Sequence, residues 1–242
     1  SERDVVREER RMRVESNPTS KFEEQYDSMF WNASPYHHPV IGWPSDVESI
    51  SRAQANEFFA TYYAPNNITA AIVGDFDPEE VLALANKYLG RIPRGETEPP
   101  EVITEELDQI QERRMVAEAD ANPSVQIRWR TVPFVNPNQH ALDIMASILA
   151  GRTGRFYKSI VEEQGMATGE PYAYGRSMRY DGMFEIGAEL AEGVPDQAVE
   201  EALLGEIAKL KNEPIPADEL QKVKNQSLAD SYRRLQSNFF LM

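Results

Sequence analysis

The run Tyr62-Tyr63-Ala64-Pro65-Asn66-Asn67-Ile68-Thr69-Ala70-Ala71-Ile72-Val73-Gly74-Asp75-Phe76-Asp77-Pro78-Glu79-Glu80 leads from one helix to the next. Pro65-Asn66-Asn67 carries turn chemistry: a fixed φ followed by two side chains that bond their own backbone. The near-continuous apolar run Ile68 to Val73, ended by Gly74-Asp75, predicts a buried strand. Asp77 is placed to cap the helix that follows, with Pro78 at its first position and Gly90 at its close. Upstream, Ser51 and Gln54 have capping-box spacing ahead of a helix from Ala53 to Tyr63, whose Ala55, Phe58, Phe59 and Tyr62 are expected to pack inward. The fold expected for the chain is α+β, mainly antiparallel sheets with helices on one face.

Beyond Gly90 the chain turns polar and acidic. Pro99-Pro100 sits in a segment from Arg94 to Asp108 that reads as a linker. Strands are expected at Arg114–Glu118, at Val125–Val132 with Val125, Ile127 and Trp129 on one side, near Ala173–Arg179 and at Met183–Leu190. Helices are expected from Pro137 to Ala150, with Ala141, Ile144, Met145 and Ile148 inward, from Gly151 onward, after Pro195, and from about Ala217. Leu203, Ile207 and Leu210, then Leu220, Val223, Ser227 and Tyr232, form the expected inner faces of the last two. The order of elements on the two sides of the linker gives two related units: residues 1–95, a linker at 96–110, and residues 111–242.

Ahead of the opening stretch, Ser20 to Phe30 reads as a helix with Phe22, Tyr26 and Met29 or Phe30 on one side, followed by a loop stiffened by Pro35, Pro39 and Pro44. The tandem His37-His38 in that loop lacks a third ligand at useful spacing, and adjacent side chains point apart in extended chain, which argues against a metal there. His140 stands alone and reads as a surface or satisfied histidine. The chain opens with Ser1-Glu2-Arg3-Asp4-Val5-Val6-Arg7-Glu8-Glu9-Arg10-Arg11-Met12-Arg13-Val14. On a helical period Val5, Val6 and Met12 define an apolar stripe with Glu2 and Glu9 in its middle. Carboxylates on a buried stripe need a cation, a metal or hydrogen bonds. If the helix is instead a solvated face, Glu9 pairs with Arg13 four residues on. Two helical turns, about 10 Å, separate Glu2 from Glu9, so they do not share one small site.

Glu2-Arg3-Asp4-Val5-Val6-Arg7-Glu8-Glu9-Arg10-Arg11-Met12 resembles the helix that carries the third zinc ligand in insulinase/pitrilysin-type zinc metallopeptidases, whose first motif is H-x-x-E-H. The resemblance matches Glu9 to the metal-binding glutamate and Glu2 to a supporting acidic residue behind the ligands. Pro35-Tyr36 through Gly42, the Tyr62–Glu80 run and Gly151–Lys158 are similar to further segments of the family. H-x-x-E-H itself does not occur in the chain. The family's second unit often carries L-R-E-x-x-G-L-A-Y, whose Arg and Tyr hold the substrate; here Ile160–Thr168 puts Val161 and Thr168 in those places. What the resemblance implies is the second part of one peptidase unit joined to the first part of another, both incomplete. It further implies Zn2+ as cofactor in the full-length protein, a peptide substrate, and a homologous partner subunit bearing the Arg and Tyr. The chain alone is expected to be inactive. A non-catalytic, structural role in an assembly is the alternative.

A net charge of −15 argues against nucleic acid as a partner. The chain has no cysteine, hence no disulfide framework or thiol nucleophile, and no apolar run approaches the length of a membrane span. It reads as a piece of a longer polypeptide, with a periplasmic or secreted bacterial setting expected from the family subtype.

Overall fold

The structure, a computed structural model, describes residues Glu2–Leu241. They form two compact units. One comprises the residues up to Phe30, Pro35–Thr104 and those from Asp230 onward; the other comprises Trp31–Ser34 and Glu105–Ala229. The break in the acidic segment therefore falls between Thr104 and Glu105.

The first unit is helical. Helix α1 spans Glu2–Arg10 and runs into a π-helical turn at Arg11–Glu15, followed by α2 (Pro18–Phe30), α3 (Pro44–Ser49), α4 (Arg52–Tyr62) and α5 (Pro78–Tyr88). Local chemistry sets the helix starts as expected. The Ser51 hydroxyl accepts the Gln54 amide N–H while the Gln54 side chain accepts the Ser51 N–H. Asp77 accepts the N–H groups of Glu79 at 2.8 Å and Glu80 at 3.2 Å. Phe22 and Tyr26 stack on α2.

Two expectations for this unit are corrected. Ile68–Val73 joins no strand ladder among the described residues, although Ile68 itself is extended, and Ile68 and Ile72 are both exposed. β-Branched residues favour the extended backbone, yet a strand needs a neighbour to hydrogen-bond, and the described part of this unit supplies none. Phe58, Phe59 and Tyr62 on α4 also stay exposed. They stack along their own helix, Phe58 on Tyr62 at 4.5 Å and Phe59 on Tyr63 at 5.1 Å between ring centres.

The second unit carries the sheet: β1 (Ser124–Thr131), α6 (Gln139–Leu149), a π-helical segment at Tyr157–Glu163, β2 (Ala167–Ser177), β3 (Gly182–Leu190), α7 (Asp196–Asn212) and α8 (Ala217–Arg234), the last lying in this unit as far as Ala229. The strand order is β1-β3-β2, all antiparallel, with Ile127 opposite Ile186 and Trp129 opposite Phe184. The fold is α+β, as expected. Period two sends Val125, Ile127, Trp129, Phe184, Ile186, Ala188, Ala167 and Ala173 to one face, where Leu149, Phe156, Ile160, Val199 and Leu203 close the core. The helices lie on that face. Arg114–Glu118 forms no strand among the described residues. On α6 Met145 packs on the core and Ile148 is buried, as expected, while Ala141 is exposed and Leu142, Ala146 and Leu149 complete the inner face. On α8 Val223 is buried while Ser227 and Tyr232 are exposed, because only its first half meets the core.

The other face of the sheet is polar and still buried at its centre. Arg128 and Glu185 are opposite each other in register and form an ion pair, both side chains nearly inaccessible. The Tyr172 hydroxyl donates to the same carboxylate at 2.9 Å. A buried carboxylate is tolerable only when cations or donors satisfy it, and these two do so. Gly187 makes this possible: a Cβ there would lie 2.5 Å from Tyr172 Oη and 2.7 Å from the Val125 carbonyl oxygen. Nearby, Glu106 accepts the backbone N–H groups of Asn32, Ala33 and Ser34 at 2.9–3.0 Å and lies 3.1 Å from Arg130. Burial works to raise the pKa of Glu106, but those three N–H groups and the Arg130 charge outweigh it, and the net shift is downward.

Candidate functional site around the first helix

The first helix presents two unlike sides. Arg3, Arg7 and Arg10, spaced four and three residues apart, lie on one of them. Arg3 donates to the Glu48 carbonyl at 3.1 Å and Arg7 lies 3.7 Å from the Glu48 carboxylate, both at the end of α3. Arg10 is buried, with 4% of its surface exposed. Its guanidinium grips Glu24 of α2 with two bonds of 2.7 and 2.8 Å and donates to the Gly42 carbonyl at 2.8 Å. Gly42 sits at φ +83°, a conformation glycine adopts without strain, and this aims its carbonyl at the arginine. The Glu24 hydrogen bond raises the pKa of Arg10, against the opposing effect of burial, with the charges of Glu24 and Glu15 adding to it. A cavity of about 290 Å³ beside this cluster is lined by Asp4, Arg7, Glu8, Arg10, Glu48 and Pro44 among others, with charges of both signs.

The apolar stripe lies on the other side. Val5 and Met12 are 60% and 66% exposed. The expectation that this stripe is buried is therefore corrected: Arg10 packs into the unit, while Val5, Met12 and Glu2 are exposed and Glu9 is part-exposed. A helix is oriented by whichever side finds complementary partners, and Glu24, Glu48 and the Gly42 carbonyl match arginine rather than valine. The sequence did hold a signal for this, the i, i+4, i+7 arginine spacing.

Glu2 is exposed, and Glu9 is part-exposed with Arg13 at 3.0 Å, the i,i+4 partner expected for a solvated face. Its carboxylate is available as one oxygen donor, because a pair between such exposed groups is weak and readily exchanged. That fits zinc as a single ligand among several, since zinc accepts Asp and Glu oxygen in sets with histidine. Glu2 lies two turns away and cannot reach the same ion. Among the described residues no three His, Cys, Asp or Glu side chains are grouped to hold a metal. His38 accepts the Trp43 indole N–H at 3.1 Å through Nδ1, so it is held as part of the loop. His140 lies on the surface 3.9 Å from Asp143.

In the second unit Val161 is directed into the core from the π-helical segment, and Thr168 stands exposed at the start of β2 opposite Glu189. Neither can hold a substrate as an arginine and a phenol would. Arg155, in the segment before, is committed elsewhere: it binds Glu219 of α8 through two bonds of 2.9 and 2.5 Å. Sequence reading missed this pair, the Arg10–Glu24 grip and the Arg128–Glu185–Tyr172 network, because each joins residues far apart in the chain.

These features define an α+β framework: an opening helix with a part-exposed carboxylate at Glu9, and a helix-backed antiparallel sheet. The chain belongs to the peptidase M16 family, the insulinase type; the family model that matches residues 49–227 is described as the peptidase M16 inactive domain. It is 25% identical over 244 residues to the zinc protease PqqE of Helicobacter pylori, covering 98% of this chain and 54% of that protein. The crystal structure of a protease from Helicobacter pylori superposes with a TM-score of 0.91 at 24% identity, covering 99% of this chain and 59% of the other. The first half of the periplasmic protease PqqL from Escherichia coli gives 0.67 at 21% identity, covering 97% and 51%. The chain thus spans about half the length of the relatives it matches. No helix among the described residues is long and apolar enough to cross a membrane.

Proposed function

We propose that the chain is part of a zinc metalloendopeptidase in which Glu9 supplies one metal ligand and Glu2 supports it from behind. The observation that carries this is the placement of Glu9 on α1, away from the buried Arg10, with its carboxylate part-exposed beside Arg13. The other ligands and the general base come from residues outside this sequence. When bound, zinc polarises the scissile carbonyl and lowers the pKa of water. Glu9 contributes an oxygen and negative charge to that set, and the backbone of α1 fixes where the oxygen stands. Val161 and Thr168 leave this chain without the substrate-holding Arg and Tyr, so a homologous partner subunit provides them. The names of the relatives support a zinc protease as the whole protein, and the periplasm is the compartment we assign by likeness to the Escherichia coli relative.

The second reading is a non-catalytic assembly subunit. The family model's description as an inactive domain and the burial of Val161 favour it. Zinc per chain in the full-length polypeptide, beside Glu9→Ala, separates the two. About one zinc per chain that is lost in the variant supports the peptidase reading; no zinc in the wild type leaves the assembly role. Full peptidase activity from the single full-length chain would remove the need for a partner.

A further inference from the structure

We propose that Arg10 is a positioning residue for Glu9, holding α1 in the rotation that leaves the Glu9 carboxylate part-exposed and accessible. This rests on the reading of Glu9 as a metal ligand. Neighbouring residues on a helix are set about 100° apart, so fixing the direction of one side chain fixes the next. Arg10 is the one of the three packing arginines that can fix a direction. Arg3 and Arg7 are exposed; Arg3 donates to the Glu48 carbonyl and Arg7 lies near the Glu48 and Asp4 carboxylates, contacts that hold little in water. Arg10 is buried and makes a two-pronged grip on Glu24, itself only 14% exposed at its side chain, with a third bond to Gly42. A planar fork that meets a carboxylate at two points defines an angle as well as a distance.

The backbone behind Glu9 makes such a clamp necessary. The α-helical ladder ends at Arg10 and gives way to the π-helical turn Arg11–Glu15, where the rise and rotation per residue change. Regular α-helical hydrogen bonding therefore does not carry the rotation of α1 past Arg10. Arg10 stands at that junction and also lies 3.6 Å from Glu15 at the far end of the turn. The outward stripe cannot substitute, because Val5, Val6 and Met12 are exposed.

The test measures zinc affinity by chelator competition, and melting temperature, in the full-length polypeptide. The decisive variant is the double change Arg10→Met with Glu24→Met. Replacing both members of a buried pair by apolar side chains of similar volume is often neutral or stabilising, so the fold is kept while the fork is removed. Zinc binding is expected to weaken about 10–100-fold, the usual effect of losing a group that orients a ligand, with the melting temperature held. Arg10→Lys keeps the charge without the fork and is expected to fall between; it is the deciding variant should the double change fail to fold. Wild-type zinc affinity in a folded double variant, or in Arg10→Lys, overturns the positioning role while Glu9 remains a ligand. Zinc affinity unchanged in Glu9→Ala, or no zinc in the wild type, overturns the reading of Glu9 and the role of Arg10 with it.

Discussion

Replacing Gly187 with alanine adds one methyl group at the most crowded point of the sheet. The new Cβ would stand 2.5 Å from Tyr172 Oη, 2.6 Å from its Cζ and 2.7 Å from the Val125 carbonyl oxygen. The phenol could swing aside, but only by giving up its 2.9 Å bond to Glu185, and the carbonyl is backbone of the neighbouring strand. Overpacking of a filled interior costs about 1–3 kcal/mol. Loss of a hydrogen bond to a buried charge adds about 1.5–3 kcal/mol. The sum, about 2.5–6 kcal/mol, is a large share of the stability of a unit this size. Urea titration with hydrogen exchange of the β3 amides reads it where it acts. Tyr172→Phe removes the hydroxyl and with it the closest clash, so Gly187→Ala should cost less in that background, with a coupling of about 0.5–3 kcal/mol. A Gly187→Ala protein within about 0.5 kcal/mol of wild type, the range of an ordinary surface change, would refute the reasoning, as would strict additivity of the two substitutions.

Phe156 has no exposed surface and lies in the core against the inner face of the sheet; Phe156→Ala should destabilise the second unit by about 3–5 kcal/mol, read as a lower urea midpoint with an unchanged slope. The Arg155 hydrogen bond lowers the pKa of Glu219, against the opposing effect of its partial burial. A carboxylate whose folded pKa lies below its unfolded value stabilises fully above the ordinary glutamate pKa of about 4.3, and that contribution disappears as the pH falls through the folded value. Glu219→Gln should therefore lower stability at neutral pH and flatten its decline on acidification, while wild type and variant converge at the lowest pH. A parallel offset at every pH would contradict this.

Residues close in the chain declared their structure. The Ser51–Gln54 box and the Asp77-Pro78 start are short-range hydrogen bonds between neighbours, so letters alone suffice, and the alternation in β1 and the apolar stretch of β3 marked strands that the structure pairs in register. The same local logic overreached at Ile68–Val73 and Arg114–Glu118, where the composition of a strand was present but no ladder forms among the described residues. It also chose the wrong side of α1 as buried: apolarity pointed to Val5, Val6 and Met12, and the partners waiting on α2 and α3 were acidic.

The sequence by itself determined the α+β class, the helix caps, the family and the two acidic candidates, Glu2 and Glu9, because these depend on spacing along one chain. Only the tertiary structure decided that Glu9 is part-exposed beside Arg13, that Arg10 is buried on Glu24, and that Glu185 is carried inside the sheet by Arg128 and Tyr172. The physical reason is that burial of a charge depends on its partner, and those partners come from other elements, as distant as 57 residues for Arg128 and Glu185.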